Sequence, residues 1–82
     1  MVSAFILVNA EVKTDLHYFL NQIKKDFGDR LVEGHVIYGR YDMILRMKSS
    51  KMNEEIGKLR HYNEIKEIQT LMIINNSMEE KN

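Results

Sequence analysis

Residues 35–47 read HVIYGRYDMILRM, two strand-like runs meeting at Gly39 and Arg40. Glycine at the first central position of a two-residue hairpin turn suits type II′ geometry, which needs positive φ there. That turn fixes the register outward from the tip: Tyr38 opposite Tyr41, Ile37 opposite Asp42, Val36 opposite Met43. One face then collects Val32, Gly34, Val36, Tyr38, Tyr41, Met43, Leu45 and Met47 and is almost wholly apolar. The other collects Glu33, His35, Ile37, Asp42, Ile44 and Arg46 and is mixed, with Glu33 facing Arg46 as a favourable cross-strand pair. A slipped register would scramble this sorting, so the sorting supports the turn.

On the N-terminal side, SAFILVNA (3–10) is a continuous apolar run of strand formers, the pattern of a strand buried on both faces. Thr14 is placed to cap a helix, with Asp15 at its positive end. Leu16, Phe19, Leu20, Ile23 and Phe27 follow at helical spacing, and Gly28 is a stop. Beyond the hairpin, a second helix is expected from Ser49 or Ser50, with Met52, Ile56 and Leu59 as its stripe and Tyr62 extending it. Gly57 costs that helix about 1 kcal/mol relative to alanine and is read as permitting close approach to the sheet. EIKEIQTLMIIN (64–75) is the fourth strand. The order βαββαβ predicts an α+β ferredoxin-like sandwich: a four-stranded antiparallel sheet with the first and third strands central and both helices on one face. One domain over 1–75 and a flexible polar tail over 76–82 are expected.

Length and composition narrow the function. Eighty-two residues give a core marginal without extra support. The chain has no cysteine, so neither a disulfide nor a thiolate metal site supplies it. Two helices cover one sheet face only, while the first and fourth strands, Ile37 and Ile44 leave apolar surface on the other. A second copy packed face to face, as a dimeric α/β barrel, is the economical cover. Twelve basic residues balance twelve acidic ones, which gives no general attraction to nucleic acid or an anionic membrane. No leader or membrane-spanning run is present, and with the lack of cysteine this points to the cytoplasm.

No sequence spacing suggests a reaction centre. His17, His35 and His61 fall in different elements without metal-ligand spacing, so no metal, cofactor or catalytic residue is expected. His35, on the mixed face, is a candidate pH-sensing group. Gly39 is explained by its turn, and a carboxylate beside a turn, such as Asp42, can serve simply as an acceptor for backbone N–H groups. Tyr41 falls on the apolar face, so core packing is its default, and Thr70 reads as a strand residue.

The same residues carry a resemblance. AFILVNAEV (4–12), VEGHVIYGRYDMILRM (32–47) with its Gly-x-Tyr-Asp hairpin, and IKEIQTLMII (65–74) resemble, in order, the first strand, hairpin and closing strand of the effector domain of Lrp/AsnC transcription regulators. The similarity spans residues 3–74. It reads as a stand-alone form, lacking the regulators' N-terminal DNA-binding helix-turn-helix, so no direct nucleic-acid contact is expected. The resemblance implies an amino-acid site between neighbouring dimers at Gly39, Tyr41 and Asp42, with Thr70 as a further candidate. It also implies a homodimer, a higher assembly of dimers, and co-assembly with full-length Lrp/AsnC-type regulators. The competing reading is a small dimeric α/β-barrel enzyme of the oxygenase or haem-handling type, since a fold does not decide a function.

Overall fold

The structure is a computed structural model that describes residues 1–74, so the expected tail at 76–82 lies outside the described residues. Its elements are β1 (Val2–Ala10), α1 (Leu16–Phe27), β2 (Leu31–Val36), β3 (Met43–Ser49), α2 (Met52–Arg60) and β4 (Ile65–Ile73), with a single 3-10 turn at Gly28–Arg30. The antiparallel sheet has the order β2-β3-β1-β4, with β1 and β3 central, as the ferredoxin-like reading requires.

Strand alternation decides which side chains make the core. Ala4, Ile6, Val8 and Ala10 of β1 and Met43, Leu45 and Met47 of β3 are buried beneath the helices. From α1 come Phe19, Leu20, Ile23 and Phe27, and from α2 come Met52 and Leu59. The intervening residues Phe5, Leu7, Ile44 and Arg46 lie on the open face and are half-buried.

The hairpin register holds from Val36–Met43 through His35–Ile44 and Gly34–Leu45 to Glu33–Arg46. It then shifts: Leu31, not Val32, pairs with Met47 and enters the core, and Val32 is exposed. A bulge absorbs the extra residue. The tip is also wider than a two-residue turn. Pairing closes with the Ile37 N–H donating to the Asp42 carbonyl at 2.9 Å, and Tyr38–Tyr41 form an open loop. Gly39 has φ 139°, far from the roughly +60° of a type II′ first position, yet still in the range that favours glycine.

Three further corrections are local. Asp15, not Thr14, caps α1, its carboxylate accepting from the Tyr18 N–H at 3.1 Å. Helix α2 starts at Met52, because Ser49 remains in β3. There the Ser49 hydroxyl accepts from the Lys51 N–H and donates to the buried Glu55 carboxylate, which also receives Arg30 at 3.0 Å. Gly57 makes no close approach: a Cβ there would meet nothing within 4 Å.

Tyr62 lies beyond α2, yet it packs edge-on against Phe19 and donates its hydroxyl to Asp26. Burial, then the Asp26 carboxylate, raises its pKa well above the ordinary value of 10.0. A raised folded-state pKa contributes stability that is fully present below the unfolded value and lost as pH rises through the folded value. Tyr62→Phe should therefore cost about 1 kcal/mol at neutral pH, read by denaturant unfolding. The difference from the parent should shrink in strongly alkaline buffer.

Candidate functional site: the hairpin end and the open sheet face

Asp42 is where the hairpin meets β1. Its backbone N–H donates to the Val8 carbonyl and its carboxylate Oδ2 accepts from the Ala10 N–H, both at 2.8 Å. The carboxylate thus satisfies the last backbone donor of β1, which would otherwise be orphaned beside a buried residue. One oxygen is committed to the fold, and Oδ1 has no partner of its own among the described residues.

Tyr41 does not join the helix-side core. Its hydroxyl donates to Gln69 Oε1 at 2.7 Å. Gln69 pairs with Leu7, whose neighbours Ile6 and Val8 point into the core, so this bond lies on the open face. The alternation assigned to Tyr41 fails because the ladder ends at Asp42, and a loop residue has no strand parity. The Arg40 guanidinium sits 5.8 Å over the Tyr41 ring.

Gly39 stands at the loop's tip, exposed, with open space around it. Thr70 pairs with Ile6 and faces the helix layer; its Oγ1 is buried without a hydrogen-bond partner. The structure therefore gathers Gly39, Tyr41 and Asp42 at one end of the sheet and leaves Thr70 on the other face. Gln69 is the residue that sequence reasoning missed. Its signal was parity: neighbours in β4 must point to opposite faces.

The open face combines apolar and charged surface. Phe5, Leu7 and Ile44 lie along its centre, with Leu71 and Ile73 on β4. On β2 and β3, the Glu33 carboxylate meets His35 Nε2 at 3.0 Å and Arg46 Nη1 at 3.5 Å. The His35 contact, helped by Arg46, holds the Glu33 carboxyl below its usual range despite some desolvation. The Arg46 guanidinium lies 5.8 Å over the Phe5 ring, and its Nε is buried without a partner. Among the described residues no group of three His, Asp or Glu side chains is arranged to hold a metal ion, and no helix is long and apolar enough to cross a membrane.

No family model and no curated protein matches the chain. Solved structures do. The chain superposes on FFRP-DM1 with a TM-score of 0.77 and 24% identity, over 90% of this chain and 100% of that one. It matches AsnC from E. coli with a TM-score of 0.71 and 23% identity, over 92% of this chain and 52% of that one. A transcriptional regulator from Neisseria meningitidis, solved as a complex with L-Met, gives a TM-score of 0.74 and 15% identity over 92% of this chain and 51% of that one. The chain thus spans about half the length of those two regulators, and the fold it shares with them is the ferredoxin-like α+β sandwich.

Proposed function

We propose that this is a non-catalytic module that self-associates through its open sheet face and binds a small polar molecule, an amino acid, at the hairpin end. The observation that supports it most is the open face itself: Phe5, Leu7 and Ile44 on the two central strands, flanked by Leu71 and Ile73, lie uncovered by any helix. A patch of that kind marks an interaction surface, and a second copy of the same face covers it with matching alternation.

The amino-acid reading rests on the resemblance to Lrp/AsnC effector domains and on the L-Met complex of the Neisseria regulator. It also rests on the chemistry of the hairpin. Asp42 Oδ1 suits an ammonium group, and backbone N–H groups of the loop suit a carboxylate. Among the described residues, the groups with displaced ionisation owe it to their structural surroundings, Tyr62 to burial and then Asp26 and Glu33 to His35 and Arg46, which favours binding over acid–base catalysis. A ligand seated at a site completed by assembly favours that assembly, and the module would pass this shift to full-length Lrp/AsnC-type regulators by co-assembly.

A thermal-shift screen of the twenty amino acids, with light scattering on each hit, tests this reading. At least one amino acid should raise the melting temperature and change the assembly mass together. Saturation about a hundredfold above Kd corresponds to about 2.7 kcal/mol of added stability, well within detection. A flat response across the set would overturn the amino-acid reading.

A further inference from the structure

His35 belongs to a charged cluster set into the apolar open face. Its Nε2 meets one oxygen of the Glu33 carboxylate at 3.0 Å, and Arg46 Nη1 meets the other at 3.5 Å. Strand pairing puts His35 beside Ile44, and the Arg46 guanidinium lies over the Phe5 ring. These side chains rim a recess of about 30 Å³. In the single chain the cluster still meets water: the His35 side chain is 60% exposed, that of Glu33 44% and that of Arg46 37%. Lys48 of β3 and Glu67 of β4 also alternate onto this face, and Asp42 closes its hairpin end. None of these three bonds to His35 among the described residues, and β1 brings no charged side chain to this face.

Charge bookkeeping in this cluster turns on one proton. With a neutral imidazole, Nε2–H donates to Glu33, and Nδ1 is a bare acceptor with no partner among the described residues. The Glu33 carboxylate and the Arg46 guanidinium then cancel. Contact with His35 and Arg46 holds the Glu33 carboxyl below its usual range, so Glu33 keeps its charge while an imidazole titrates. A proton added to His35 leaves the cluster with one net positive charge and makes Nδ1 a donor without an acceptor. In an exposed face, water meets both needs. Under a second copy that water is gone, and a buried unpaired charge and an orphaned donor both cost free energy. A two-fold pair repeats the cost in each copy.

We infer that protonation of His35 gates the sheet-face pairing: the neutral imidazole is compatible with a covered face, and a proton on it drives the two copies apart. This inference rests on the proposed pairing of the open faces and names its regulation. The pair favours the form with fewer protons. Pairing is therefore fully present above the range in which the imidazole titrates and is lost as pH falls through that range.

Sedimentation equilibrium from about pH 8 down to about pH 5.5, across the range in which histidines titrate, tests this with three proteins: the parent, His35→Gln, and His17→Gln/His61→Gln. Circular dichroism at each pH confirms that the fold persists. The parent's dissociation constant should be at least about tenfold higher at the acid end, with up to about two protons taken up per pair separated. His35→Gln keeps a side-chain N–H for Glu33 and does not titrate, so it should pair equally well throughout. The variant lacking the other two histidines should respond to pH as the parent does. A parent that pairs equally at both ends, or more tightly in acid, would overturn the inference and leave the sheet-face pairing standing. So would a His35→Gln variant that keeps the pH dependence or fails to pair, or loss of the dependence in His17→Gln/His61→Gln. A parent that is monomeric at every pH would overturn the pairing and its gating together.

Discussion

Ile44→Asp should leave the domain folded and abolish its sheet-face pairing. Ile44 sits on central strand β3, opposite Leu7 on one side and His35 on the other, and faces away from the helix layer. In the single chain an aspartate there meets water, so the fold loses about 1 kcal/mol of strand preference. In the pair the same carboxylate is pressed between the two faces beside Leu7, away from water, and each partner contributes one. Burying an unpaired charge costs several kcal/mol. The dissociation constant should rise by two orders of magnitude or more, about 2.8 kcal/mol. Sedimentation equilibrium reads the change, and circular dichroism checks that the fold persists. A variant that pairs like the parent would remove the open face from the account.

Asp42→Ala should act on both stability and ligand binding, and Asp42→Asn should separate the two. The alanine variant leaves the Ala10 N–H without an acceptor at an 8% exposed residue. An orphaned buried donor costs about 1–3 kcal/mol, and for a domain of this size each kcal/mol lowers Tm by about 4–8 °C. The asparagine variant keeps an oxygen for Ala10 and removes the negative charge. It should melt close to the parent and still lose at least about tenfold in affinity for any amino-acid hit, because the charge-assisted bond to the ammonium is gone. If asparagine binds the hit as tightly as the parent while alanine melts early, Asp42 is a clamp for β1 and takes no part in the ligand site.

The fold was legible where strand parity and turn chemistry agree. The Gly39–Arg40 break sets a pairing that holds from Val36–Met43 down to Glu33–Arg46, although the tip opens into a loop wider than the residues imply. The pattern stops being decisive at Leu31 and Val32, two adjacent apolar residues. Only the bulge, a feature of three dimensions, decides that Leu31 is the one buried. Thr14 and Asp15 are likewise both competent caps in sequence, and the helix's entry geometry chooses Asp15. The candidate site was half legible. Tyr41 and Asp42 stood out beside the turn, but their partners did not: Ala10 is 32 residues from Asp42, and Gln69 is 28 from Tyr41. The strand order, with β1 between β3 and β4, followed from the element order; which side chains bridge the strands at the hairpin end depends on the β1–β4 register and the path of the loop, which no local pattern encodes.

The central claim, that a second copy covers the open face and that a small polar ligand shifts the resulting assembly, meets its most direct test in sedimentation velocity. The parent chain is run over a micromolar concentration series, alone and with each of the twenty amino acids in excess. The account predicts a pair or larger species in the absence of ligand and a shift in the size distribution with at least one amino acid. A chain that stays monomeric through the series, with a profile no amino acid changes, would contradict it.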